Sequence, residues 1–142
     1  MTAQPDLTKP LPEVQPWTEA FWEGTRHGRL LVQACNRCQA RIFVPRKLCP
    51  ECWSPDLGWI ESAGRGTVFT FSTAYSMVEP RFTDELPYTI AYVNLAEGIR
   101  IMTRIVGCDP ADVAIGMEVE VVWHPRGDLQ LPYFRPIARD DP

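Results

Sequence analysis

Residues 33–54 read QACNRCQARIFVPRKLCPECWS, and they hold four of the five cysteines in the chain. Cys35 and Cys38 make one Cys-x-x-Cys pair. Cys49 and Cys52 make a second, with ten residues between the pairs, Gln39 to Leu48. A Cys-x-x-Cys turn sets two sulfurs on one side of a tight knuckle. Two facing knuckles supply the tetrahedron of thiolates, at about 2.3 Å each, that zinc prefers. Ten residues suffice for a hairpin return, and the β-like runs RLLVQA (29–34) and RIFVPR (41–46) flank the first pair as its arms. The spacing therefore predicts a zinc ribbon. A redox Cys-x-x-Cys would open a helix after a strand and would not come twice. Four thiolates fill the shell and leave no position for water or substrate, so the predicted zinc is structural. Glycine often follows the second cysteine of such a knuckle, where a positive φ is convenient; here Gln39 and Trp53 stand there.

Upstream, residues 1–16 carry Pro5, Pro10, Pro12 and Pro16, which exclude a helix and predict an extended arm. The stretch WTEAFWEGTRHG (17–28) predicts a short helix capped by Thr18, with Trp17 and Phe21 on one face and Gly24 or Gly28 as the stop. So short a helix is not stable alone, and its aromatics must pack on something. From Trp59 onward the period becomes two. GTVFTFSTAY (66–75) alternates Phe69, Phe71 and Tyr75 against Val68, Thr70 and Ser72. YTIAYVNL (88–95) turns at Ala96-Glu97-Gly98 into IRIMTRIV (99–106), with Ile99, Ile101 and Ile105 opposite Arg100, Met102 and Arg104. EVEVVW (118–123) sets Val119, Val121 and Trp123 against Glu118 and Glu120, and YFRPIA (133–138) is the last candidate strand. Five short strands avoid two exposed edges by closing into a small barrel. The five-stranded OB-fold fits that count, and an SH3-like barrel fits almost as well. The expected division is 1–32 arm and helix, 33–58 zinc ribbon, and 59–142 barrel.

The composition is that of a globular protein, 45% hydrophobic and 23% charged, with net charge −4 over 142 residues. An acidic balance argues against a dedicated nucleic-acid binder. No apolar run approaches the roughly 20 residues of a membrane helix, and the N-terminus shows no secretory h-region. A cytoplasmic setting, with thiols kept reduced, is expected. Catalytic candidates are sparse. Cys108 needs a base, and nothing in the sequence sets His27 or His124 beside it. His124 is expected to end a strand before Pro125. Gly64-Arg65-Gly66 precedes a strand and reads as a turn, not a phosphate loop. Asp84 and Glu85, as strand neighbours, would point to opposite faces. Arg100 with Arg104 on one strand face, and Arg46 with Lys47 in the ribbon return, are the candidate phosphate contacts. The residues alone describe a binding or scaffolding module with no catalytic set of its own.

Taken in order, FWEGTRHGRLLVQACNRC, FVPRKLCPECWS, GRGTVFTFSTAY, PYTIAYVNLAEGIRIMTRIVG, IGMEVEVVW and LPYFRPIA span about residues 17–138. They resemble the zinc-ribbon/OB-fold proteins of acyl-CoA metabolism once catalogued as a domain of unknown function. The resemblance implies a mainly β fold: an N-terminal helical segment, a rubredoxin-like zinc ribbon and a C-terminal five-stranded OB barrel. It implies an accessory subunit for a thiolase-like or lipid-transfer-protein-like catalytic subunit, including steroid side-chain aldolases, with a coenzyme A thioester as substrate of the complex. A heterotetramer is the stoichiometry expected by analogy. In that setting Trp17, Phe21, Trp22, Phe134 and Arg135 become candidate interface residues, and Arg46, Lys47, Arg100 and Arg104 candidate coenzyme A contacts. The alternative is a zinc-ribbon OB module binding single-stranded nucleic acid through its strand aromatics. A third is a standalone CoA-ester enzyme using Cys108 or His124.

Overall fold

The computed structural model describes residues 9–138. Helix α1 (Glu19–Arg26) is closed at its end by Gly28, whose φ of +69° suits glycine. The Gly28 N–H donates to the Thr25 carbonyl at 3.1 Å, and the Arg29 N–H to the Gly24 carbonyl at 2.9 Å. These are the two reversed bonds of a Schellman stop. Gly24 lies inside the helix, where a Cβ would come within 3.0 Å of the Arg29 carbonyl oxygen and of Leu31 Cγ. Its bareness lets the following strand pass close. The Thr18 side chain does not cap the first turn. Its hydroxyl turns back to Gln15, donating to the carbonyl at 3.1 Å and accepting from the N–H at 2.9 Å.

Strands β1 (Leu31–Cys35), β2 (Arg41–Ile42) and β3 (Leu57–Glu61) form an antiparallel sheet in the order β2-β1-β3. Gln33 pairs with Ile42, and Leu31 through Cys35 pair with Glu61 through Leu57. The third ribbon strand thus straddles the 58/59 division. The barrel follows: β4 (Arg65–Ala74), β5 (Tyr88–Leu95), β6 (Arg100–Ile105), β7 (Glu118–Arg126) and β8 (Leu129–Pro136), closed in the order β4-β5-β6-β8-β7. All pairings are antiparallel except β6 with β8, which meet at Ile105 and Phe134. This is the OB-fold.

Period-two patterning fills the barrel. Val68, Val93, Ile101, Val119 and Phe134 are at most 2% exposed, while Arg100 and Met102 face outward as their alternation requires. Phe21, Leu30 and Val32 join the same core, so helix and ribbon are seated on the barrel. Two expected interface residues are therefore corrected. Phe21 (4% exposed) and Phe134 (0%) are core side chains, because each occupies the inward position of its element. His124 and Pro125 lie within β7, since its hairpin with β8 continues to the Arg126–Leu129 pair. Asp84 and Glu85 sit on a short 3-10 helix, Pro80–Glu85, rather than a strand. Among the described residues no helix is long and apolar enough to cross a membrane.

Candidate metal centre and surrounding surfaces

The four Sγ atoms of Cys35, Cys38, Cys49 and Cys52 all lie within 4.8 Å of one another. Cys35–Cys52 and Cys38–Cys49 are 3.5 and 3.6 Å apart. A zinc tetrahedron with bonds of about 2.3 Å has sulfur–sulfur edges of about 3.8 Å, so the donor set fits structural zinc. Both knuckles are built alike. Gln39 and Trp53 adopt φ of +68° and +64°, and their N–H groups reach the carbonyls of Cys35 and Cys49 at 3.0 and 2.9 Å. Backbone N–H groups of Arg37 and Cys38 point at Cys35 Sγ, and that of Glu51 at Cys49 Sγ, each at 3.4 Å. The Cys38 N–H, with that of Arg37, draws the Cys35 thiol down to about 7. The Ala40 N–H pulls the same way on Cys38, but burial and the neighbouring thiols push it up to about 12. Zinc would hold Cys35, Cys38, Cys49 and Cys52 together as thiolates, in a shell with no open position.

A second polar assembly joins β6, the start of β5, the Pro80–Glu85 turn and Lys9. Arg104 Nη1 donates to Glu85 Oε1 at 2.9 Å, and its guanidinium lies 3.9 Å over the Tyr88 ring. Lys9 Nζ donates to Asp84 Oδ2 at 2.9 Å and stands 3.2 Å from Glu85 Oε2, an ion pair without hydrogen-bond alignment. Burial alone would raise Glu85, but Lys9 and Arg104 hold it below the ordinary carboxylate value. The two carboxylates expected on opposite faces thus converge on one lysine, because the 3-10 turn carries them round. His124 stacks on Tyr133, with ring centroids 4.8 Å apart, and burial followed by Arg126 keeps its pKa low. His27 bonds Glu23 on the helix surface at 3.0 Å. Burial, then Asp112 and Asp109, raises the Cys108 thiol, and neither histidine bonds it. The described residues hold no nucleophile–base pair built from these groups.

The candidate phosphate residues are dispersed. Gln33 clamps the Arg46 backbone at both its N–H and its carbonyl, each at 2.8 Å, and Lys47 Nζ sits 4.3 Å over the Trp17 ring. Arg46, Lys47 and Trp17 share a hollow of about 440 Å³. Arg100 instead lies 3.5 Å over Phe69 and donates to Asn94 at 2.9 Å. Arg135 is exposed and bonds Glu120 at 3.2 Å. Two of the candidate interface residues, Phe21 and Trp22, line an apolar groove of about 450 Å³ between α1, the ribbon return and the barrel wall, with Phe43, Val44, Met102 and Tyr133 among its other walls. The rest of the groove is signalled in the sequence only by apolar residues at outward positions: Val44 and Met102 are 59% and 62% exposed.

Comparison with known proteins agrees with this architecture. Residues 22–58 match the family described as the ChsH2 rubredoxin-like zinc ribbon domain, and residues 59–124 the ChsH2 C-terminal OB-fold domain. The solved structure titled Ltp2-ChsH2(DUF35) aldolase superposes with a TM-score of 0.81 at 35% identity, covering 89% of this chain and 98% of that one. A probable enoyl-CoA hydratase alpha subunit of Thermomonospora curvata is 37% identical over 94% of this chain and 41% of its own length. The benzoylsuccinyl-CoA thiolase subunit BbsA of Geobacter metallireducens is 30% identical over 51% of this chain and 47% of its own length. The chain thus spans less than half the length of either of these two relatives.

Proposed function

The chain belongs to the ChsH2 (DUF35) zinc-ribbon/OB-fold family, and from that premise we propose that it is a non-catalytic accessory subunit of an acyl-CoA enzyme complex. Its catalytic partner is a thiolase-like or lipid-transfer-protein-like subunit, which supplies the reacting residues. This chain stabilises the partner and shapes the channel for a coenzyme A thioester. The observation that carries the reading is the fold match over nearly the whole of a chain described as part of an aldolase. The four converging cysteines, which leave a structural zinc no open position, accord with it. Arg46 and Lys47, beside Trp17, are the pair best placed to meet coenzyme A phosphates from this side. Arg104, turned to Glu85, and Arg100, laid on Phe69, are less free to do so. A heterotetramer and a cytoplasmic location complete the reading.

The test is to tag the full chain, recover it from its own cells and identify what accompanies it in stoichiometric amount. A thiolase-fold protein is the expected companion. That pair is then assayed for retro-aldol cleavage, thiolysis and hydration of CoA esters, with either subunit alone as control. Recovery of the zinc-loaded chain without a partner, or turnover by this chain alone, would refute the accessory role.

A further inference from the structure

Arg126 ends β7 and is 8% exposed. Its guanidinium is a fork of five N–H donors, yet among the described residues it donates no hydrogen bond. The nearest carboxylate oxygen, Glu85 Oε1, is 3.6 Å from Nη2, beyond hydrogen-bond reach, and the Phe82 ring lies 5.5 Å from Cζ. Its charge is offset at ion-pair distance by Glu85 and by the Phe82 ring, but its N–H fork is left open to a further acceptor. Glu85 is shared among three cations: Oε1 accepts from Arg104, Oε2 stands 3.2 Å from Lys9, and Arg126 is held only at ion-pair distance.

Arg126 lines a cavity of about 850 Å³ together with Lys9, Leu11, Pro80, Arg81, Thr83 and Asp84. Such a volume suits a small-molecule ligand. The charges there do not cancel. Among the described residues in and beside the cavity, Lys9, Arg104 and Arg126 meet Asp84 and Glu85, which leaves one positive charge over, while Arg81 is held by Glu79 at 2.7 Å. One negative charge balances the cluster. A dianionic phosphate would exceed it and crowd Asp84, which also lines the cavity. Leu11 and Pro80 offer an apolar wall beside the charged one.

We propose that this cavity binds a small carboxylic acid, its carboxylate taken by the Arg126 fork beside Lys9 and Thr83 and its apolar body laid on Leu11 and Pro80. The site is separate from the zinc knuckles and from the Arg46–Lys47 hollow, and it stands whether or not the chain serves an acyl-CoA enzyme. Guanidinium pairs with carboxylate through two parallel bonds, which gives such a site both charge and direction.

The zinc-loaded full chain is titrated calorimetrically with hexanoate, benzoate, hexanamide and inorganic phosphate. Saturable binding of at least one carboxylate is expected, at least tenfold tighter than hexanamide and tighter than phosphate. Arg126→Gln should weaken that carboxylate at least tenfold while keeping zinc, and Arg46→Gln should not change it. Should Arg126→Gln fail to fold, the wild-type chain decides: the Arg126 Nε–H and Gly127 amide NMR signals must shift along the same titration. Absence of saturable carboxylate binding, equal affinity for hexanamide, tighter binding of phosphate, full affinity in folded Arg126→Gln, or unmoved Arg126 and Gly127 signals would each overturn the proposal.

Discussion

Two kinds of residue fix this molecule, and they differ in what a substitution exposes. The cysteines act through a metal that binds the folded arrangement, so metal affinity is folding energy. Cys35→Ser removes one of four thiolates at a site only 2% exposed. It is expected to lose its zinc and unfold the ribbon; a variant with one zinc per chain and an unchanged melting temperature would contradict the structural role. Glu85 acts through charge. Lys9, Arg104 and Arg126 converge on its carboxyl, which is largely buried at 16% side-chain exposure. Glu85→Gln leaves buried guanidinium groups without their counter-charge and should cost about 3 kcal/mol at neutral pH. The sign with pH follows from the direction of the shift. Glu85 is held below its ordinary value of 4.5, so its ionised form favours the folded state. That contribution is complete above pH 4.5 and is lost as pH falls through the depressed folded value. Melting curves of wild type and Glu85→Gln should therefore differ most at neutral pH and converge in acid. A gap that is constant from pH 7 to 3 would assign the loss to packing instead.

At the scale of elements, what the sequence made readable depended on local period and spacing. The knuckles were readable because two cysteines three apart, repeated, have few other solutions. The barrel strands were readable because Ile99, Ile101 and Ile105 alternate with Arg100, Met102 and Arg104, and burial follows that alternation. The helix stop was readable as a choice between Gly24 and Gly28, and the left-handed φ falls on Gly28. Gly28→Ala should cost about 1 kcal/mol through backbone strain alone, since a Cβ there meets Trp123 Nε1 and Cδ1 at an ordinary 3.6 and 4.0 Å. That loss corresponds to a melting temperature roughly 2–4 °C lower for a chain of this size. A loss several times larger would mean that the Schellman stop also positions β1. Other features were not readable, because they depend on contacts distant in sequence. The Lys9–Asp84 pair spans 75 positions. Phe21 and Phe134 are aromatics whose type suits an interface and a core equally, and only barrel closure assigns them to the core. The turn over Pro80–Glu85 interrupts the strand pattern, and nothing in local period announces that it will carry a carboxylate inward.

At the scale of the whole molecule, the closed barrel and the four-cysteine knuckles leave exposed apolar surface at the joins between units. Seating α1 and the ribbon return beside β6 and β8 creates an apolar groove that belongs to no single unit, which is why neither family segment read alone predicts it. Apolar side chains held outward on a rigid barrel are suited to burial by a partner. Met102 tests this most cleanly. It is 62% exposed and stands on a β6 position whose inward neighbours, Ile101 and Thr103, carry the core. Met102→Asp should therefore change the stability of the isolated chain by no more than about 0.5 kcal/mol. Within a desolvated interface the same carboxylate is unpaired and should cost at least about 2 kcal/mol, some 30-fold in Kd. The measurement is the affinity of the variant for the catalytic subunit recovered with the wild-type chain, with melting temperature and zinc content as controls. If affinity falls while both controls hold, the groove is part of the docking face, and Trp22 and Val44 should follow with smaller losses. If affinity is unchanged, the partner must seat elsewhere. The exposed knuckle bearing Leu48 and Trp53, at 42% and 74%, is then the surface to alter, because it too projects apolar side chains from a framework held rigid by the metal.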